Sequence, residues 1–141
     1  MRSPLPPALV DRLCGVIVES RPASEVIEIH DAPDALHYVD PPYVHSTRGF
    51  DAGGTHRTSY RHEMSDKDHA ALAKLLRKVK GMVVLSGYAC PLYDEKLYRD
   101  WRRFERPHWA DGARPRVEVV WINAACAKAL AGATHQLSLI T

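Results

Sequence analysis

Four consecutive residues, Asp40-Pro41-Pro42-Tyr43, place a carboxylate, two backbone positions without an N–H and an aromatic ring at the end of an apolar run, Ala35-Leu36-His37-Tyr38-Val39. The prolines offer carbonyl acceptors and no donors, and their fixed φ holds neighbouring groups still. Asp40, preceding Pro41, is forced into an extended conformation. Such a corner holds its acceptors in fixed positions, which favours a preorganised site over an adaptable one. A second polar cluster, Ser86-Gly87-Tyr88, closes another apolar run, Met82 to Leu85. Other chemistries fit poorly. His62-Glu63 followed by His69 lacks the HExxH spacing of a zinc peptidase, no CxxC accompanies the eight histidines, and a dedicated metal site is rejected. Gly53-Gly54 is not flanked by a strand and a helix as a phosphate-binding loop requires, and reads as a hinge.

The elements that must position these residues follow from pattern. Gly15 to Glu19 is β-branched and apolar, predicting a buried strand; Ala23 to Ile29 predicts a short helix, and Ala35 to Val39 a second strand. Val44 to Met64 is a long polar stretch without periodicity. Ser65 with Asp68 gives a capping-box start to a helix carrying Ala71, Leu72, Leu75, Leu76 and Val79, with Gly81 placed to end it. Met82 to Leu85 is a strand, and Leu92, Tyr93, Leu97 and Trp101 share a helical face after Pro91. A polar loop containing His108, Trp109, Gly112 and Pro115 leads to a strand over Arg116 to Ile122, and Ala124 to Thr141 reads as a frayed helix. Trp101 and Trp121 are expected in the core. This alternation predicts an α/β fold with a mostly parallel sheet and flanking helices. Ligands then lie beyond the carboxyl ends of the strands, which puts Asp40-Tyr43 and Ser86-Tyr88 on one rim.

The 141 residues suffice for one domain, and 45% apolar with 26% charged excludes disordered, collagenous and disulfide-scaffold classes. No apolar run approaches the length of a membrane span. Met1 to Pro7 lacks the apolar segment of a secretory signal, so a cytoplasmic location is expected. Cys14, Cys90 and Cys126 suggest reduced, mostly buried thiols. The net charge is +2, yet residues 96–116 carry seven basic side chains against three acidic ones. They form either a phosphate-facing patch or a solvated helix face and loop.

Asp40-Pro41-Pro42-Tyr43 after Leu36-His37-Tyr38-Val39 resembles the catalytic motif of adenine-specific DNA methyltransferases of the Dam-like type. Val16 to Glu19, Thr47-Arg48, Tyr60 to Met64, Ser86 to Tyr88 and Glu118 to Asn123 follow in that family's order, and the resemblance covers residues 9–124. It implies a partial Rossmann-like class I methyltransferase fold between an N-terminal extension, 1–8, and an Ala-rich tail, 125–141. It also implies S-adenosyl-L-methionine as methyl donor, no metal, and DNA as partner, with the target adenine flipped out of the duplex. Adenine's amine is a poor nucleophile because its lone pair is delocalised; acceptors on both N–H groups draw the pair out. The resemblance gives these roles to Asp40 and the carbonyl of Pro41, fixed by Pro42, with Tyr43 stacking on the purine. It points to Glu19, Ser20 and Arg21, with Asp40, for the cofactor; a solvated carboxylate at a strand end is the alternative for Glu19. Thr47, Arg48 and Arg61 become candidates for DNA-backbone contact, as do Arg106 and Arg114, which flank Trp109. Tyr88 packs beside cofactor or base, or is simply buried.

Complete members of the family carry a glycine-rich FxGxG motif and a target-recognition region ahead of the segment matching 9–40. Neither is present here. Their strand order separates the strand matching Val16 to Glu19 from the Asp40 strand by two others, about 10 Å of sheet. A truncated or split enzyme is therefore expected, with a complementary chain supplying the missing cofactor-binding half. The alternative is a catalytically inactive remnant that binds DNA or a partner.

Overall fold

The computed structural model describes the backbone of residues 7–47, 62–110 and 114–138 and, within these, the side chains of 8, 11–47, 62–106 and 117–133. Four helices, α1 (Pro7–Leu13), α2 (Ala23–Ile29), α3 (Asp66–Leu76) and α4 (Ala124–Ser138), accompany four strands, β1 (Leu36–Val39), β2 (Met82–Tyr88), β3 (Arg102–Ala110) and β4 (Arg114–Ile122). The strands form one sheet in the order β1-β2-β4-β3.

The fold is α/β, but the sheet is mixed rather than mostly parallel. β1 and β2 are parallel, with Leu36 opposite Met82 and Val39 opposite Leu85. β2–β4 and β4–β3 are both antiparallel. β1, β2 and β3 thus run one way, and β4 runs against them between β2 and β3. The cause is local: three residues separate Ala110 from Arg114, enough for a hairpin and far too few for a parallel crossover. The polar loop expected around His108 and Trp109 is therefore the end of β3. Its charges concealed the strand, since edge strands tolerate exposed arginines and prolines where central strands do not.

Two further expectations are corrected. Residues 16–20 form no strand, and Ile17 and Val18 are 76% and 90% exposed rather than buried. β-branched residues make a strand only beside a neighbour that satisfies their backbone. Pro91 to Trp101 holds a single π-helical segment, Leu92–Leu97, which buries Tyr93; Trp101 lies beyond it, partly buried against the core. Cys90 is buried and Cys126 half-buried, whereas Cys14 is exposed; all three are free thiols.

α3 begins as the sequence dictates. The Ser65 side chain accepts from the Asp68 N–H while Asp68 accepts the Ser65 N–H at 2.8 Å, a reciprocal capping box. The helix ends at Leu76, before Gly81. Gly81 has another duty: a Cβ there would lie 2.8 Å from the carbonyl oxygens of both Ala32 and Ala35. Its bare backbone lets the entrance of β2 nest against the loop that feeds β1.

β2 buries alternate residues, Val83, Leu85 and Gly87. Leu76, Val119 and Trp121 close over them. Tyr93 meets Trp121 edge-on at 5.2 Å and Tyr98 at 5.0 Å, with Trp101 4.9 Å from Tyr98. Such T-shaped pairs add about 0.5–1.5 kcal/mol each beyond area burial. Burial pushes both tyrosine hydroxyls well above their ordinary pKa, so they stay protonated. Asn123 ties the exit of β4 to the start of β2: its Oδ1 accepts from Val83 and Cys126 N–H, and its Nδ2 donates to the Gly81 carbonyl. Among the described residues, no helix is long and apolar enough to cross a membrane.

Candidate functional site

The carboxyl ends of β1 and β2 meet because they are parallel and in register, and side chains fasten the pair at both ends. At the start, Asp31 accepts from the Lys80 and Gly81 N–H groups at 2.9 and 3.0 Å and faces His37 Nε2 at 3.4 Å. These donors, led by Lys80, hold the Asp31 carboxyl below the usual carboxylate range. At the other end, the Ser86 hydroxyl donates to Asp40 Oδ1 at 3.0 Å and lies 3.4 Å from the Val39 carbonyl. Asp40 itself is exposed.

Pro41 is buried behind Asp40, Pro42 and Tyr43 are half-buried, and Val44 is buried. The proline pair is thereby clamped between an exposed carboxylate and a core residue. Tyr43 packs on Tyr88 with ring centroids 4.4 Å apart and planes tilted by 47°. The two motifs singled out in the sequence thus share one corner, joined by a hydrogen bond and by an aromatic contact. After Val44 the chain makes a 3-10 turn, His45–Thr47, in which the Thr47 hydroxyl donates to the Val44 carbonyl at 2.8 Å. That bond turns the hydroxyl of this DNA-contact candidate inward. Arg48 and Arg61 lie outside the described residues.

Beside Asp40 opens a cleft of about 1040 Å³, walled by β1, α2, α3 and the segment before α2. Glu19, Arg21, Asp40, Pro41 and Pro42 all line it, so two of the cofactor candidates share a cavity with the proline motif. Glu19 and Arg21 form an exposed ion pair at 3.3 Å, which contributes little to stability. Ser20, between them, is exposed. The floor of the cleft is the edge strand β1, whose Leu36 and Tyr38 are 59% and 67% exposed.

Arg106 stands elsewhere. It is opposite Glu118, which is opposite Tyr88, so it is level with the rim yet two strands, about 10 Å, to the side. Beyond it, Pro107–Ala110 and Arg114–Val117 extend the hairpin past the end of β2. The backbone of Arg114 belongs to that extension. Of the basic residues in 96–116, Arg102, Arg103 and Arg106 stand on the edge strand β3.

One residue of the site was not marked by sequence. Asp31 has no motif, and its role emerges only from donors some fifty residues away. Ser86 was conspicuous at the end of its strand, but nothing in sequence shows that its hydroxyl holds Asp40. No cluster of three or more metal-ligating side chains occurs among the described residues. No protein-family model matches this chain, and no curated protein matches it, so the argument for its function rests on the residues and their geometry.

Proposed function

We propose that this chain is the catalytic half of a DNA adenine N6-methyltransferase. The observation that carries the reading is the corner itself: the Asp-Pro-Pro-Tyr run at the carboxyl end of a parallel strand pair, its carboxylate held by Ser86 and its ring by Tyr88. In open α/β sheets this is where ligands bind.

Each residue then has a task. Asp40 takes one N–H of a flipped adenine on the oxygen that Ser86 leaves open, and the Pro41 carbonyl takes the other. Both acceptors are fixed before the base arrives, so little reorganisation opposes the reaction. Tyr43, backed by Tyr88, stacks on the purine. Glu19 and Arg21 would hold the cofactor, because they line the cleft that ends at Asp40 and can meet hydroxyl, amino and carboxylate groups. When bound, S-adenosylmethionine supplies an electrophilic methyl group.

The cleft also supports a need for a second polypeptide. It is open along β1, where a complementary chain would add the strands that carry a cofactor loop. A cytoplasmic location goes with a DNA substrate. The alternative, an inactive remnant binding DNA or a partner, draws on the same open edge.

The test is transfer of labelled methyl from S-adenosylmethionine to duplex DNA, by the chain alone and mixed with the polypeptide encoded immediately upstream. Label at adenine N6 in the mixture, abolished by Asp40→Ala, is expected. Transfer by the chain alone would remove the need for a partner. No transfer in either arm, or transfer surviving Asp40→Ala, would overturn the assignment.

A further inference from the structure

Arg77 and Arg103 are tied to acids, whereas Arg102 and Arg106 of β3 are not. Arg77 reaches across to Asp100 through both guanidinium nitrogens and to the Leu97 carbonyl, which neutralises Asp100. Arg103 is held by Asp94 at 2.8 Å and by Glu105. Arg102 and Arg106 are exposed and make no ion pair among the described residues. They flank Phe104 on one face of β3, since residues two apart on a strand point the same way, about 6.8 Å from one to the next. Phe104 is 40% exposed, and the Arg102 guanidinium lies over its ring at 5.0 Å.

This ring, 40% exposed on an edge strand between two arginines without an ion pair among the described residues, lies outside the core cluster, whose Val119 and Trp121 are on the opposite face. Its chemistry is that of a polyanion receptor: cations at a strand repeat for phosphates, and an aromatic face for a flat ring. Duplex DNA hides its base faces, so the ring has use only for unpaired bases. Glu118, opposite Arg106 in the strand register, weakens the field there.

We propose that the Arg102-Phe104-Arg106 face of β3 binds single-stranded nucleic acid, one base stacking on Phe104 and the flanking phosphates meeting Arg102 and Arg106. The strand lies along β3 toward the rim that holds Asp40. This surface is separate from the corner at β1, and the inference does not rest on methyl transfer.

Fluorescence anisotropy of a labelled single-stranded oligothymidine against the full chain tests it, with a duplex of equal length as comparison. Binding should favour the single strand. Phe104→Ala should weaken it about tenfold, as loss of one base–aromatic stack does, and leave the duplex unchanged. Arg102→Ala with Arg106→Ala should reduce the slope of log affinity against log salt by about 1.4. Glu118→Gln should tighten binding. Equal effects on duplex and single strand, an unchanged affinity in Phe104→Ala with native unfolding temperature, or no binding in about 50 mM salt would each overturn the proposal. The assay needs no methyl donor, so methyl transfer can fail while this surface stands, and the reverse.

Discussion

A carboxylate on the surface points wherever its rotamers allow unless a donor chooses for it, and Ser86 chooses for Asp40. Ser86→Ala should lower kcat about tenfold with KM nearly unchanged, while Ser86→Thr, which keeps the hydroxyl, should restore most of the rate; steady-state methyl transfer by the complemented chain checks this. Asp31 offers a second residue-level outcome. Its carboxyl is held below the ordinary value chiefly by the Lys80 N–H, so its contribution to stability is complete above the unfolded-state pKa and is lost as pH falls through the lower folded value. Asp31→Asn should therefore narrow the gap in Tm between neutral and acid solution, measured by calorimetry from pH 7 to 3. Asp40 to Tyr43 was legible because its residues are contiguous and chemically unusual. Asp31 and the bond from Ser86 to Asp40 were not, because the partners lie 46 to 50 residues apart and only the folded sheet brings them together.

At the scale of elements, legibility follows how local the determining interactions are. α2 was readable from periodicity and α3 from periodicity and capping, since a helix satisfies most of its own backbone. Ser65→Ala removes one half of the capping box and should cost about 1 kcal/mol, read from denaturant unfolding. Strands depend on neighbours. The segment Val16 to Glu19 has the composition of a strand and no partner, whereas β3 has an unpromising composition and a close one in β4. The direction of the sheet was misjudged for the same reason: a strand–helix–strand rhythm does not show that β4 turns back after a three-residue connection. Gly81 sits where two elements touch. Gly81→Ala would press a methyl group on two carbonyl oxygens and should destabilise by about 1–3 kcal/mol, against a stabilisation of about 0.5–1 kcal/mol at Gly132, inside α4, where nothing lies within 4 Å.

For the whole molecule, the exposed apolar side chains of Ile17, Leu36 and Tyr38 all line the cleft beside β1. An uncovered edge strand next to such a surface is prone to association. Ile17→Asp with Val18→Asp should raise the concentration at which the isolated chain stays monomeric in light scattering, and shift stability by no more than about 0.5 kcal/mol, because neither side chain reaches the core. Composition gave no hint of this surface, since totals do not record which face a residue takes. The strand order carries one more consequence, in time rather than space. β3 and β4 are sequence neighbours, so their pairing closes a short loop; β1 meets β2 only after some 46 residues have been gathered in. Contact order then makes the hairpin the early-forming template and the β1–β2 seam a late one. The corner where Asp40 meets Ser86 is finished near the end of folding. Pulse-labelled hydrogen exchange should find the β4 amides protected before those of β1, and a refolding chain would hold its basic edge before it holds its acceptor.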